Sequence, residues 1–212
     1  KGTSIVGTKD FAAEKPLLAA EEKAWGALLD ERRKGVSADT TRLHALEKAF
    51  ADAQKASNVY VVGNESTRLI EQAGGQGINA FTAQDITAYF YSLPSNRLEL
   101  WSAMHGGMLV DPVFREFYAE RDEVFEERRM RSESTPIGKF AESFEGLFWE
   151  SHPYGWPTVG LPSDIIAISK AQADEFYALY YSPQNITLIL VGDFESARTL
   201  NLIRHNFKQI PH

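Results

Sequence analysis

Gly74-Gly75-Gln76-Gly77-Ile78-Asn79-Ala80-Phe81-Thr82-Ala83-Gln84-Asp85-Ile86-Thr87-Ala88-Tyr89-Phe90-Tyr91-Ser92-Leu93 is the stretch on which the fold turns. A glycine pair stops the helix that precedes it. Two runs follow, residues 78–83 and 86–93, rich in Ile, Thr, Phe and Tyr and parted by the polar Gln84-Asp85. That is the pattern of two short strands joined by a turn. A third strand-like run, apolar but for Thr187, covers residues 186–191. Nearly everything else reads as helix, so the fold class is α+β.

Working outward, the spacing of apolar residues predicts helices on both sides. Upstream, Leu17, Leu18, Trp25, Leu28 and Leu29 share one side of a helix over 10–35, with Pro16 marking an expected kink or fresh start. Ser37, Asp39 and Thr40 supply capping residues for a second helix, striped by Leu43, Leu46, Phe50 and Ala53. Two helices across a short polar loop predict an antiparallel helical hairpin. A short helix follows from Asn64 to Ile70. Downstream, helices are predicted over 97–109, 114–131, 137–149, 169–181 and 195–207, with a Pro/Gly-rich loop over 151–162.

Composition narrows the function classes. The chain has 212 residues, enough to bury a core. Asp and Glu outnumber Lys and Arg, 29 to 22, so there is no broad basic field and nucleic acid is not an expected partner. No apolar run reaches the length of a membrane-spanning helix. Cysteine is absent, which removes disulfides, thiolate catalysis and Cys-ligated zinc together. The chain begins at Lys1, without Met or a signal-peptide pattern, and is expected to be a processed chain or a fragment.

Glu116, Glu120, Glu123 and Glu127 stand at i, i+4, i+7 and i+11, on one face of the predicted helix. Like charges at this spacing repel, so the stripe invites a cation: an arginine such as Arg121, Arg128 or Arg129, or a metal. The five histidines, His44, His105, His152, His205 and His212, contain no i, i+3 or i, i+4 pair. Catalytic zinc takes three protein ligands, so the chain offers at most one convincing ligand, a glutamate. Gly74-Gly75-Gln76-Gly77 follows a helix rather than a strand, so it is not a phosphate loop. No nucleophile elbow is present.

Gly74-Gly75, then Asn79-Ala80-Phe81-Thr82, then Asp85-Ile86-Thr87-Ala88-Tyr89 resembles the Gly-Gly…Asn-Ala-x-Thr…Asp-x-Thr-x-Tyr stretch of the pitrilysin/insulinase family, which includes the mitochondrial processing peptidases. Glu120 and Glu127 resemble the two glutamates seven apart on that family's helix. His152-Pro153-Tyr154 resembles its His-Pro-Tyr loop. Phe176-Tyr177…Tyr181-Ser182-Pro183-Gln184-Asn185, running to Gly192-Asp193, resembles its Phe-Tyr…Tyr-x-Pro-x-Asn segment and the strand after it. Gly2-Thr3 resembles the Gly-Thr that follows the family's metal motif. The match runs in order from Gly63 to the C-terminus.

The resemblance implies a mixed, mainly antiparallel sheet packed with helices, forming one half-domain over 1–212 that is incomplete at its N-terminus. It implies a zinc endopeptidase acting on extended peptides or unfolded proteins. Its His-x-x-Glu-His motif is expected just before Lys1. Glu127 matches the third zinc ligand and Glu120 the supporting glutamate. Asn79, Ala80, Phe81, Thr82 and Ala83 match the edge strand that pairs with substrate. One Zn2+ is expected in the complete protein, and this chain alone is expected to be inactive. A homologous second half-domain or subunit is implied, self-association is expected, and the periplasm is the suspected compartment.

The hairpin over 10–58 departs from the family pattern and reads as an insertion, either capping a chamber, docking a partner, or serving as inert elaboration. Two other functions compete with catalysis. One is a non-catalytic partner subunit that holds peptide. The other is a helical protein-binding module built on the hairpin.

Overall fold

The computed structural model describes residues 2–210. In chain order they form helices α1 (Phe11–Arg32), α2 (Thr40–Asn58) and α3 (Glu65–Gln72), strands β1 (Gln76–Thr82) and β2 (Thr87–Ser92), then α4 (Leu98–Val110), α5 (Phe117–Arg128), α6 (Pro136–Trp149), α7 (Pro162–Ala167), α8 (Lys170–Tyr180) and α9 (Ser196–Phe207). The fold is mixed α+β, and the sheet among the described residues is the single hairpin β1-β2.

Helix ends fall where the capping chemistry puts them. Asp10 accepts from the Ala13 amide and Asp39 from the Arg42 amide, which starts α1 and α2. Glu195 accepts from the Ala197 and Arg198 amides at the head of α9. The glycine pair ends α3 in a Schellman motif: Gly74 N–H donates to Glu71 O at 2.9 Å and Gly75 N–H to Ile70 O at 2.8 Å. Gly74 has φ +93°, and a Cβ on Gly75 would lie 2.4 Å from the Ile70 side chain, so neither position accepts a larger residue without strain.

The chain divides into two compact units. Asn79–Tyr89 and Phe117–Ser169 form one, and the other described residues form the second. In the larger unit, α1 packs on α2 around Trp25, Leu28 and Phe50, with the Trp25 and Phe50 rings 5.3 Å apart. The hairpin closes at its base through a Thr8–Val61 bridge, with Lys9 N–H donating to Tyr60 O and Val62 N–H to Gly7 O. Helices α4 and α9 approach closely at Gly106, where a Cβ would meet Asn206 O at 2.7 Å. In the smaller unit, α5 packs on α7 around Tyr118 and Ile165.

Three expectations are corrected. Helix α1 is continuous through Pro16, so the fresh start is not taken. The missing amide removes one hydrogen bond, which the packing of a 22-residue helix outweighs. The run 186–191 is extended at Ile186 but joins no ladder, and Ile189 and Val191 stand open to solvent. An apolar run becomes a strand only when a neighbouring backbone is there to pair with it. The third correction concerns Glu116. It has φ +53° and precedes α5, so it falls outside the acidic stripe.

Candidate functional site

All the residues singled out for chemistry, Glu120, Glu127 and Asn79 to Ala83, belong to the smaller unit. Helix α5 carries Glu120 in its first turn and Glu127 in its last. Seven residues at 100° each bring the two carboxylates to nearly the same azimuth, two turns apart. Glu127 is partly exposed and pairs with Arg131 at 2.8 Å, one turn on. Arg121 bonds Asp122, Arg129 bonds Glu126, and Arg128 holds Glu142 through both carboxylate oxygens.

Arg128 is the anchor of this end of the helix. Its side chain is 3% exposed. One terminal nitrogen donates to Glu142 on α6 at 2.7 and 2.8 Å, and the other donates to Gly160 O at 2.9 Å. The next residues, Arg129–Glu133, widen into a π turn. Glu127 therefore sits at the end of a helix turn whose inward side is fixed by the buried Arg128 guanidinium and its charge-assisted bonds to Glu142. At the other end Arg121 lies over the Tyr118 ring at 5.1 Å and donates to Ile166 O.

Strand β1 is exposed along all seven residues, and Phe81 is half exposed. Ala83 N–H donates to Ile86 O across the turn, so by the alternation of an antiparallel pair the amides of Ala80 and Thr82 face away from β2. That edge is open to another strand. The Ala80 amide donates to Asn79 Oδ1 at 2.8 Å, a bond that an incoming strand would exchange for its own. The turn itself is tied: Tyr154 O–H donates to Asp85 Oδ2 at 2.5 Å, and this bond raises the tyrosine's pKa. Tyr154 belongs to a ring cluster with Trp149 and His152, at 5.2 and 4.5 Å. His152 Nδ1 accepts from the Tyr154 amide, so the histidine is a loop-ordering residue.

Among the described residues no three His, Asp or Glu side chains come together as a metal site. Glu127 has the chemistry and exposure of one carboxylate ligand. The donors present do not by themselves make up a zinc site.

Sequence reasoning missed two features of this region. Arg131 stands at i+4 from Glu127 and was findable by spacing. The Asp85–Tyr154 bond joins residues 69 apart and leaves no local signal.

A family model described as "Peptidase M16 inactive domain" matches residues 167–212, which covers α8 and α9 but not α5. The chain is 32% identical over 150 residues to the zinc protease PqqE of Helicobacter pylori, covering 69% of this chain and 33% of that protein. The chain belongs to the pitrilysin/insulinase family. Its similarity to a probable zinc protease of Escherichia coli, PqqL, is 28% over 160 residues, covering 70% of this chain and 17% of PqqL. Among solved structures, a protease from Helicobacter pylori superposes with a TM-score of 0.65 at 30% identity, covering 69% of this chain and 36% of that one. The periplasmic protease PqqL from Escherichia coli gives 0.59 at 25% identity, over 70% of this chain and 17% of PqqL. The chain spans about a third of the length of its Helicobacter relative. No described helix is long and apolar enough to cross a membrane.

Proposed function

We propose that this chain is part of a zinc-dependent endopeptidase that hydrolyses extended peptides or unfolded proteins. The observation that carries the reading is the placing of Glu120 and Glu127 on one face of α5, with Glu127 partly exposed and its helix turn anchored by buried Arg128. Glu127 is the third metal ligand, and Glu120 supports it from one helical arc away. The two histidines and the water-activating glutamate lie outside this chain, which alone is inactive. Zinc, when bound, supplies Lewis-acid activation of water and of the peptide carbonyl. The chain's own contribution is to hold the ligand turn rigid and to present β1 as an edge. Residues 79–83 pair with substrate through main-chain hydrogen bonds, a largely sequence-tolerant mode that suits unfolded chains. A homologous second half completes the enclosure, residues 10–58 are an insertion in the half-domain, and the periplasm is the compartment.

A second reading is favoured by the name of the matching family model, an inactive domain. In it the parent holds peptide for an active partner and cleaves nothing. One experiment separates the two. In the parent protein, Glu127→Gln should abolish stoichiometric zinc, measured by mass spectrometry of the metal, and hydrolysis with it. The circular dichroism spectrum should not change. Full activity in that variant would remove Glu127 from the metal site. A wild-type parent that takes no zinc yet binds peptide would establish the second reading.

A further inference from the structure

We propose that the Tyr154–Asp85 hydrogen bond is a latch that holds strand β1 in position for an incoming peptide, which makes these two side chains positioning residues for substrate. The proposal rests on the reading of β1 as the peptide-pairing edge.

The two ends of the latch differ in what fixes them. Tyr154 is presented by a rigid platform. Its ring lies edge-on to Trp149 at 5.2 Å and to His152 at 4.5 Å. Its amide donates to His152 Nδ1, and the Pro153–Gly155 turn closes through Gly155 N–H to His152 O at 3.0 Å. That turn packs on α6. Helix α6 is in turn clamped to α5 by the Arg128–Glu142 pair.

Asp85, by contrast, sits at the tip of a two-stranded ribbon that is mostly open to solvent. The tip is internally ordered. Ala83 N–H donates to Ile86 O at 2.8 Å, and the Thr82 and Thr87 hydroxyls pair at 3.2 Å. An isolated two-stranded ribbon is marginal in water, so its pose depends on what ties it down. The Tyr154 hydroxyl ties the tip, by a bond made to a carboxylate and therefore among the stronger hydrogen bonds, while the base is held separately where Tyr91 on β2 meets His105 on α4 at 2.9 Å. A tethered strand has less freedom to lose when a peptide adds to it, which is how preorganisation raises affinity. The tyrosine keeps its proton in the bond, since the carboxylate beside it raises its pKa.

Tyr154→Phe tests this, because it keeps the ring cluster and removes only the hydroxyl. Asp85→Asn is the second variant. Two quantities are measured on the full chain. One is amide hydrogen exchange of Phe81 and Ala83, whose amides face β2, without ligand. The other is the affinity for an unstructured fluorescein-labelled peptide. The expected result is exchange about tenfold faster and binding about tenfold weaker in Tyr154→Phe, as for loss of a bond to a charged group. Asp85→Asn should shift both the same way, while α5 and α6 keep their protection. A wild type that binds the peptide and a Tyr154→Phe that binds equally well would overturn the latch alone. So would faster exchange without weaker binding, because the bond would then be structural only. A wild type that takes no peptide would overturn the edge-strand reading and this proposal with it.

Discussion

Histidine 105 shows what burial does to a single residue. Its Nε2 lies 2.9 Å from the Tyr91 hydroxyl, and its ring packs against Tyr91 and Trp101 at 5.7 and 5.5 Å. Burial pushes its pKa below the ordinary histidine value, because the charged ring would lose its hydration. Tyr91 is pushed up to about 12, also by burial, so it stays neutral throughout. As pH falls through the ordinary histidine range, the unfolded chain takes up this proton before the folded one does. The contribution to stability is therefore complete above about 6.5 and is lost as pH falls toward the depressed folded value. We expect the melting temperature to drop between pH 7 and pH 5. The drop should be smaller in His105→Phe, which keeps a ring and removes the titration. Melts followed by circular dichroism at both pH values check this, and an unchanged drop would show that His105 does not contribute. Glu21 pulls the other way: burial raises its pKa, so it favours the folded state at low pH and loses that effect as pH rises.

The helices also carry charges in unexpected places. The buried side of α1 includes Glu14 and Glu21 beside Trp25 and Leu28. Glu14 is matched by Arg115, whose Nε donates to both carboxylate oxygens at 2.7 and 3.0 Å with both side chains almost fully buried. The same guanidinium donates to Thr3 O at 2.8 Å and Val6 O at 3.2 Å. Arg115 therefore ties the helical hairpin to the turn over residues 2–6. Glu22 adds a second tie by accepting from the Ala171 amide at the start of α8. The hairpin is thus fastened to its unit along α1. Removing one partner of the buried pair strands the other charge, so Arg115→Met should cost about 3–5 kcal/mol. The double variant Glu14→Leu/Arg115→Met should recover most of that loss, because no buried charge is left. Urea unfolding of the three proteins measures this. A single variant as stable as wild type would show that the pair is not buried in solution.

At the scale of the molecule, the notable property is apolar surface left uncovered. On α6, Phe140, Phe144 and Phe148 stack one turn apart, at 6.0 and 5.7 Å, and Ile137 and Leu147 extend the ridge. All five stand open to solvent. In the other unit Ile189 and Val191 are similarly bare. Exposed apolar ridges of this kind drive association or await cover. The 212-residue chain should therefore self-associate as its concentration rises, which light scattering after size exclusion would show. Phe140→Glu with Phe144→Glu should shift it toward monomer. A wild type that stays monomeric at high concentration would refute the expectation.

The sequence by itself determined the local structure. Helix positions followed from apolar spacing, and helix ends from Asp10, Asp39 and the Gly74-Gly75 pair, because capping and turn conformations are short-range physics. Glu120 and Glu127 were legible for the same reason, since a seven-residue spacing fixes a shared helix face. What only the tertiary structure decided was partnership. Whether residues 186–191 joined a sheet depended on a neighbour that no local pattern supplies. Arg128 meeting Glu142, Arg115 meeting Glu14 and Tyr154 meeting Asp85 join side chains 14, 101 and 69 residues apart. Such pairs are set by how helices and loops come together in space, and sequence spacing carries no record of that.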